Sequence, residues 1–234
     1  ASVADTIERP METHEINQNA NLNILETIRI KHLKIKKLHF ASSAAVYGNN
    51  PELPKKETSP IEPLSPYAID KYATERFVID YGKLYGIPTV VTRFFNVYGP
   101  KQNPKSPYSG VLSLMINALK NETIFTVYGD GKQTRDFVFV TDVIEALIFL
   151  ASTDKTCANV YNIATGKQSS LDQVIKILNV VSSTKMKVKY EKRRAADIEN
   201  SYADIKKVQN LRHKTMYSLE EGLNIYWKKM SKML

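Results

Sequence analysis

The sequence is short of glycine and nearly free of cysteine. Of its nine glycines the first is Gly48, and neither G-x-G-x-x-G nor G-x-x-G-x-x-G occurs anywhere in the 234 residues. Within these residues that excludes the loop whose backbone N–H groups approach a dinucleotide pyrophosphate at a helix N-terminus. The chain also opens on the approach to a helix, with no strand before it. The one cysteine, Cys157, rules out an internal disulfide and leads us to expect a reducing compartment. It stands in "DKTCANVYNIA" with no histidine nearby and reads as a packed side chain, not a nucleophile. The four histidines, His14, His32, His39 and His213, lack metal-ligand spacing, so no metal site is expected. No apolar run can span a bilayer: "VIEALIFLAS" is short and carries Glu145. The first residues lack the basic-then-apolar pattern of a signal peptide, which makes the cytoplasm the default location and gives no reason to expect a membrane partner.

What is plentiful is lysine. The 33 basic and 24 acidic residues give a net charge of +9. One reading is a solvated, lysine-rich surface; another is attraction to an anionic ligand, either nucleic acid or a phosphorylated small molecule. Nucleic-acid binders gather basic residues into a stripe or tail. Here they are spread out, and the densest run, "KHLKIKKLHF", alternates with apolar residues, as at a helix end leading into a strand. No nucleic-acid partner is expected.

The organisation reads as strands alternating with helices. Residues 12–33 suggest a helix with Ile16, Ala20, Ile24 and Ile28 on one stripe and Leu25 beside it. "KKLHFAS" is a short buried strand. Four prolines, Pro51, Pro54, Pro60 and Pro63, make 49–65 a loop. A helix follows from Pro66 to about Leu84 and stops near Gly86. "PTVVTRF" is β-branched and reads as a strand, and 96–109 reads as loop. A helix over 110–120, a turn at "YGDGK" and a strand at "DFVFV" come next, then a helix over 141–152 and a strand at "ANVYNIA". Ser170 with Gln173, and Ser218 with Glu221, form capping-box patterns for two last helices. The alternation implies an α/β fold with a doubly wound parallel sheet. We expect residues 1–100 in the sheet lobe, with 130–165 contributing in part, and 101–234 mainly in a smaller C-terminal lobe.

The chemistry concentrates in "SPYAIDKYATERF". Positions i and i+4 share a helix face, so Tyr67 and Lys71 are neighbours. A phenol with a pKa of about 10 needs a shift of roughly 3 units, or about 4 kcal/mol, to trade protons at neutral pH. A lysine charge about 6 Å away at an effective dielectric of about 20 offers roughly 3 kcal/mol. A positively charged nicotinamide ring would supply the rest. In "FASSAAVYG", Ser42 and Ser43 end a strand, where open α/β sheets bind ligands; a serine hydroxyl there would orient the phenol and relay its proton. A Y-x-x-x-K spacing alone is common by chance on helices.

Taken together and in this order, "FASSAAVYG", "SPYAIDKYATE", "TRFFNVYGPKQNP", "VYGDGKQTRDFVFVTDV", "YNIATG" and "RRAADIENSYADIKK" carry a resemblance over nearly the whole chain. They resemble the extended short-chain dehydrogenases/reductases, in the NAD-dependent nucleotide-sugar epimerase/dehydratase group, and look closest to the UDP-glucose and UDP-N-acetylglucosamine 4-epimerases. The resemblance implies NAD as cofactor and a UDP-sugar as substrate. It implies that Ser43, Tyr67 and Lys71 form a catalytic trio and that Asn17, Ala41, Ser42 and Phe94 lie around the cofactor, which Tyr67 and Lys71 also touch. It places Ser43, Asn96, Gln102, Thr126, Tyr128, Arg135, Arg194 and Asp197 on the substrate side. Two guanidiniums suit a diphosphate. Read alone, Arg135 could equally pair with Asp136 at the surface, and Arg193 with Arg194 could be a solvated basic patch. Related dehydratases carry acidic residues where this chain has Ala44 and Ala45, which argues for epimerisation. The alternatives are a dehydratase or reductase of the same family and a non-catalytic UDP-sugar-binding remnant. The resemblance also implies that Ala1 falls inside the family's Rossmann lobe, so that the chain is N-terminally truncated, exposes a sheet edge and binds NAD incompletely. Relatives of this kind often dimerise through the helices near 12–33 and 66–84, so a homodimer is expected.

Overall fold

The computed structural model describes residues 2–104, 106, 109–193 and 198–232. The chain begins with α1 (Val3–Glu8), α2 (Pro10–His14), a π-helical turn (Glu15–Asn19) and α3 (Ala20–Ile30). Then come β1 (Leu38–Ser43), a 3-10 turn (Ala44–Tyr47), α4 (Pro66–Tyr85), β2 (Thr89–Phe94) and β3 (Asn96–Tyr98). α5 (Val111–Lys120), β4 (Phe125–Tyr128), β5 (Thr134–Arg135), β6 (Phe137–Phe139) and α6 (Val140–Ser152) follow. The last elements are β7 (Asn159–Ile163), β8 (Ser169–Ser170), α7 (Leu171–Ser182), β9 (Val188–Glu191), α8 (Lys206–Gln209) and α9 (Leu219–Ser231).

Two compact units result. The first holds Ala1–Phe94, Ile144–Ile163 and Asp204–His213; the second holds Phe95–Val143, Ala164–Ala203 and Lys214–Leu234. The first unit is built on a parallel sheet in the order β1–β2–β7, with Ser43 opposite Phe94 and Phe94 opposite Ile163. β2 lies in the middle, which explains why its β-branched run is buried almost throughout. Among the described residues β1 has no strand on its other side. α4 packs on β1 and β2 and α3 packs on α4, with Leu25, Phe40, Val78, Ile79 and Val91 forming the apolar centre.

The sequence dictates α4 closely. Ser65 caps it by accepting from the Ala68 N–H at 3.2 Å, Pro66 occupies the first turn, and Gly86 ends it in the left-handed region at φ 66°. Gly48 is also forced: at φ 55°, a Cβ there would lie 1.7 Å from the Glu62 carbonyl oxygen. Deeper in the same unit, Glu75 of α4 and Arg93 of β2 form a buried ion pair. Arg93 also donates to the Tyr47 hydroxyl at 2.9 Å and to the Glu57 carbonyl at 3.1 Å. Tyr47 in turn donates to Asn162 at 2.6 Å, and Asn162 donates to the Lys55 carbonyl at 2.9 Å. The proline-bearing loop is thereby pinned to the C-terminal ends of β2 and β7.

Only part of the expected apolar stripe over 12–33 is buried. Ile16 and Ile24 are 57% and 50% exposed, whereas Thr13, Asn17, Leu25 and Ile28 are buried. Residues four apart drift about 40° per step round an α-helix, so Ile16, Ala20, Ile24 and Ile28 do not all stay on one face, and the π turn at Glu15–Asn19 shifts Ile16 further. Residues 96–98, expected in a loop, form β3, which pairs with β6.

In the second unit β3 pairs with β6 and β4 with β9, both parallel, and β5 pairs antiparallel with β8. α5, α7 and α9 enclose a core that includes Met115, Ile116, Phe139, Val174, Leu178 and Leu223. Both predicted capping boxes form, at Ser170 with Gln173 and at Ser218 with Glu221. Two buried carboxylates hold loops in place. Asp136 accepts from the Thr165 N–H and hydroxyl, the Gly166 N–H and the Ala203 N–H. Asp142 accepts from the backbones of Met216 and Tyr217 just before α9. No described helix is long and apolar enough to cross a membrane.

His39 on β1 makes stability depend on pH. Burial, with Lys37 nearby, pushes its imidazole down to about 4 from 6.5, and its Nε2 lies 3.0 Å from the Thr92 hydroxyl. Between those values the unfolded chain takes up a proton that the folded chain refuses. Stability is therefore full above pH 6.5 and is lost as pH falls through about 4. Urea melts between pH 7 and 4 should show this slope and should lose much of it in His39→Gln; an equal slope in both proteins would exclude His39 as its source.

Candidate active site

β1 ends in two serines because the strand runs directly into the 3-10 turn. Ser43 caps that turn, its Oγ accepting from the Ala45 N–H at 3.2 Å. The same hydroxyl acts on the Tyr67 phenol, which α4 presents from its first turn, and favours its ionised form. One turn further on, the Lys71 ammonium donates to the Ala41 carbonyl at 2.9 Å. Its Nζ lies 5.8 Å from the centroid of the Tyr67 ring and 5.0 Å from that of Phe40. Ser43, Tyr67, Lys71 and Ala41 are thus brought together at the C-terminal end of β1. Phe94 pairs in register with Ser43. Ser42 is buried, and its Oγ has no hydrogen-bond partner among the described residues.

The electrostatics differ from the expectation in one respect. The lysine-to-ring distance is the one assumed from sequence, and it allows roughly 3 kcal/mol of attraction for a phenolate. Burial nonetheless dominates and raises the phenol above its usual range, with the nearby Ser43 hydroxyl opposing the rise. Burial also lowers the Lys71 ammonium. The pair is held in a desolvated setting that disfavours either charge standing alone.

Asn17 sits in the π turn, buried, with its carbonyl accepting from the Asn21 side chain at 2.8 Å and from the Thr74 hydroxyl at 3.3 Å. The residues near β1 fit the nicotinamide–ribose end of a dinucleotide. An ammonium has three donors, one of which goes to Ala41; the others, with the Tyr67 hydroxyl, suit a vicinal diol, and Ser42 adds an unmatched buried hydroxyl. No glycine cradle for the pyrophosphate occurs in the sequence.

In the second unit, Asn96, Thr126, Tyr128 and Arg135 line one cavity of about 280 Å³, together with Gln133 and Leu171. The Arg135 guanidinium is aimed by backbone, donating to the Thr134 carbonyl at 2.8 Å and the Glu199 carbonyl at 3.3 Å. A surface pair with Asp136 is not its setting, because Asp136 is fully buried and its oxygens serve Thr165, Gly166 and Ala203. Gln102 does not appear among that cavity's lining residues; its Oε1 is buried without a partner among the described residues. Arg194 and Asp197 lie outside the described residues. Among the described residues no group of acidic, histidine or cysteine side chains could hold a metal.

Sequence reasoning passed over the residues that hold α4 from its far side: Thr6, His14, Asp70 and Thr74. Their only mark in the sequence is polar side chains at positions 70 and 74 of an otherwise amphipathic helix.

Comparison with known proteins gives a consistent picture. Residues 1–164 match the NAD dependent epimerase/dehydratase family. A putative UDP-glucose 4-epimerase of Methanocaldococcus jannaschii is 37% identical over 231 residues, covering 97% of this chain and 74% of that protein. The solved UDP-N-acetylglucosamine 4-epimerase of Methanobrevibacter ruminantium, in complex with UDP-N-acetylmuramic acid, superposes with a TM-score of 0.94 at 34% identity, over 100% of this chain and 74% of that one. The Thermus thermophilus UDP-glucose 4-epimerase, solved with NAD, gives 0.90 at 30% identity, over 100% and 76%. The chain therefore spans about three-quarters of the length of these relatives.

Because the Ser43 hydroxyl is what pulls the phenol down against burial, Ser43→Ala should raise Tyr67 further. Carbon-13 NMR of the labelled tyrosine ring against pH reads this directly. An unchanged or lowered titration would show that the hydroxyl does not act on the phenol.

Proposed function

This chain belongs to the NAD dependent epimerase/dehydratase family, and from that premise we propose that it carries the proton-transfer centre of a UDP-hexose 4-epimerase. The observation that carries the proposal is the Lys71 ammonium, 5.8 Å from the centroid of the Tyr67 ring and anchored on the Ala41 carbonyl, at the end of the parallel strand that Ser43 terminates. NAD, when bound, would supply the acceptor and donor of hydride for carbon 4. Tyr67, ionised once the cofactor's positive charge joins that of Lys71, takes the proton from the 4-hydroxyl as a phenolate and gives it back to the 4-keto oxygen on re-reduction. Ser43 orients the phenol and relays its proton toward the sugar oxygen. Lys71 holds the nicotinamide ribose and stabilises the phenolate as it forms. A desolvated site favours this role, since each charge gains more from its neighbour there than in water.

The second unit supplies the nucleotide side. Backbone at Thr126–Tyr128 would read the uracil, and Arg135, with Arg194, would neutralise the diphosphate; Asn96, Gln102 and Asp197 complete the set. Arginine's planar fork suits such an anion. The relatives act on different hexoses, so the choice of sugar is a property to be measured.

The test incubates the protein with NAD and, separately, UDP-glucose, UDP-galactose and their N-acetylated forms, following carbon 4 by NMR. Interconversion of at least one pair is expected, and Tyr67→Phe should cost at least ~10²-fold in turnover. Elimination to a keto-deoxysugar, or UDP-sugar binding with no isomer formed, would overturn the proposal.

The same proposal includes a homodimer. Ile7, Met11 and Ile24 on α1–α3, and Ile69 and Phe77 on α4, are exposed apolar side chains that support it. Sedimentation should give twice the chain mass, and a monomer at all working concentrations would reject the dimer.

A further inference from the structure

Three hydrogen bonds cross from the first helices to α4, and they fall on one line of that helix. The Tyr67 N–H donates to the Thr6 hydroxyl at 3.2 Å, His14 Nδ1 lies 2.7 Å from Asp70 Oδ1, and the Thr74 hydroxyl donates to the Asn17 carbonyl at 3.3 Å. Positions 67, 70 and 74 share a face. Most of the seam is buried: Thr6, Asn17, Asp70 and Thr74 are each at most 7% exposed, while the His14 side chain is 39% exposed and reaches Asp70 from the seam's rim. Its middle rung is the shortest and the only one with a carboxylate. Asp70 directly precedes Lys71, and its Oδ2 has no hydrogen-bond partner among the described residues. His14 therefore gives that carboxylate its one partner among them.

We propose that His14 and Asp70 are a positioning pair that sets the rotation of α4, and through it the placement of Tyr67 and Lys71. The neighbouring line of α4, about 100° round the helix from Asp70, is tied to β1 through Lys71–Ala41. A helix held on only one side can turn about its axis. A tyrosine hydroxyl stands about 9 Å from that axis, so a 10° turn moves it about 1.5 Å. A misplacement of about 1 Å can cost on the order of 10² in rate. The hydrogen bond at 2.7 Å is directional, and a buried carboxylate deprived of its partner is penalised heavily enough to make the correct rotation distinct. Neither residue touches the reacting atoms, and both act through the helix.

The inference rests on the roles proposed for Tyr67 and Lys71, but its test needs neither substrate nor cofactor. The full chain is labelled at the tyrosine ring carbons and the lysine side chains, with resonances assigned through Tyr67→Phe and Lys71→Met. His14→Phe, which keeps a ring and loses the Nδ1 donor, should displace the Tyr67 and Lys71 resonances. His14→Asn, which puts an amide donor near the Nδ1 position, should bring them back. Asp70→Asn serves as the second disrupting variant should His14→Phe fail to fold. Ile28→Val, a core change away from the seam, should lower the melting temperature without moving either resonance. The proposal is overturned if the disrupting variants leave both resonances in place, if Ile28→Val moves them equally, or if His14→Asn does not restore them. Absence of sugar turnover in the parent chain counts against the proposed activity alone, and the resonances still decide the positioning role.

Discussion

The rotational setting of α4 is the constraint on which the rest depends. Tyr67 and Lys71 have meaning only relative to the end of β1, and a helix packed by apolar contacts alone can slide and turn by small amounts at little cost. Here Glu75 meets Arg93 inside the unit, and both side chains are almost wholly buried. Such a pair adds little net stability, because desolvation offsets most of its attraction. It is nonetheless directional, and Arg93 extends it to Tyr47 and the Glu57 carbonyl. The proline-bearing loop, the central strand and the helix are therefore fixed by one guanidinium, a few turns from the phenol.

The same burial that fixes the site also sets its electrostatics. A lysine 5.8 Å from a phenol ring helps a phenolate, but removing both groups from water works against either charge. The balance favours a neutral phenol that responds strongly to any further positive charge brought close. A group tuned in this way is poised by its surroundings and not by the lysine alone, which a sum of pairwise charges in a uniform medium misses.

Much of this was legible in the sequence, and the remainder was hidden for identifiable reasons. α4 could be read almost to the residue, because Ser65, Pro66 and Gly86 are local signals with local causes. The capping boxes at Ser170 and Ser218 were legible for the same reason. Spacing drew attention to Tyr67 and Lys71 and strand position to Ser42 and Ser43, but only the family resemblance singled out Ser43 with the other two as a trio. The stripe through Ile16 and Ile24 was misread because a row of residues four apart drifts round an α-helix, and because no residue type announces the π turn in which Ile16 lies. Read alone, Arg135 and Asp136 could equally have been a surface pair, because adjacency in sequence hides opposite facing; Asp136 turns inward to three backbone N–H groups and a hydroxyl. Contacts such as Thr6 with Tyr67 or His14 with Asp70 join residues more than fifty positions apart. Nothing local marks either partner.

Those distant polar rungs raise the question of why the first helices should meet α4 through a threonine, a histidine, an aspartate and a backbone carbonyl when leucines would bury more apolar area. Leucine contacts reward closeness and are nearly indifferent to a small rotation. A hydrogen bond rewards one direction, and a buried polar group that loses its partner is penalised by more than the bond contributed. The seam thus exchanges some stability for a sharp rotational minimum. The apolar part of the interface, Leu25 against Val78 and Ile79, lies further along α4, where small rotations matter least to the chemistry. Apolar packing holds the far half of the helix in place, and directed polar contacts set the half that carries Tyr67 and Lys71.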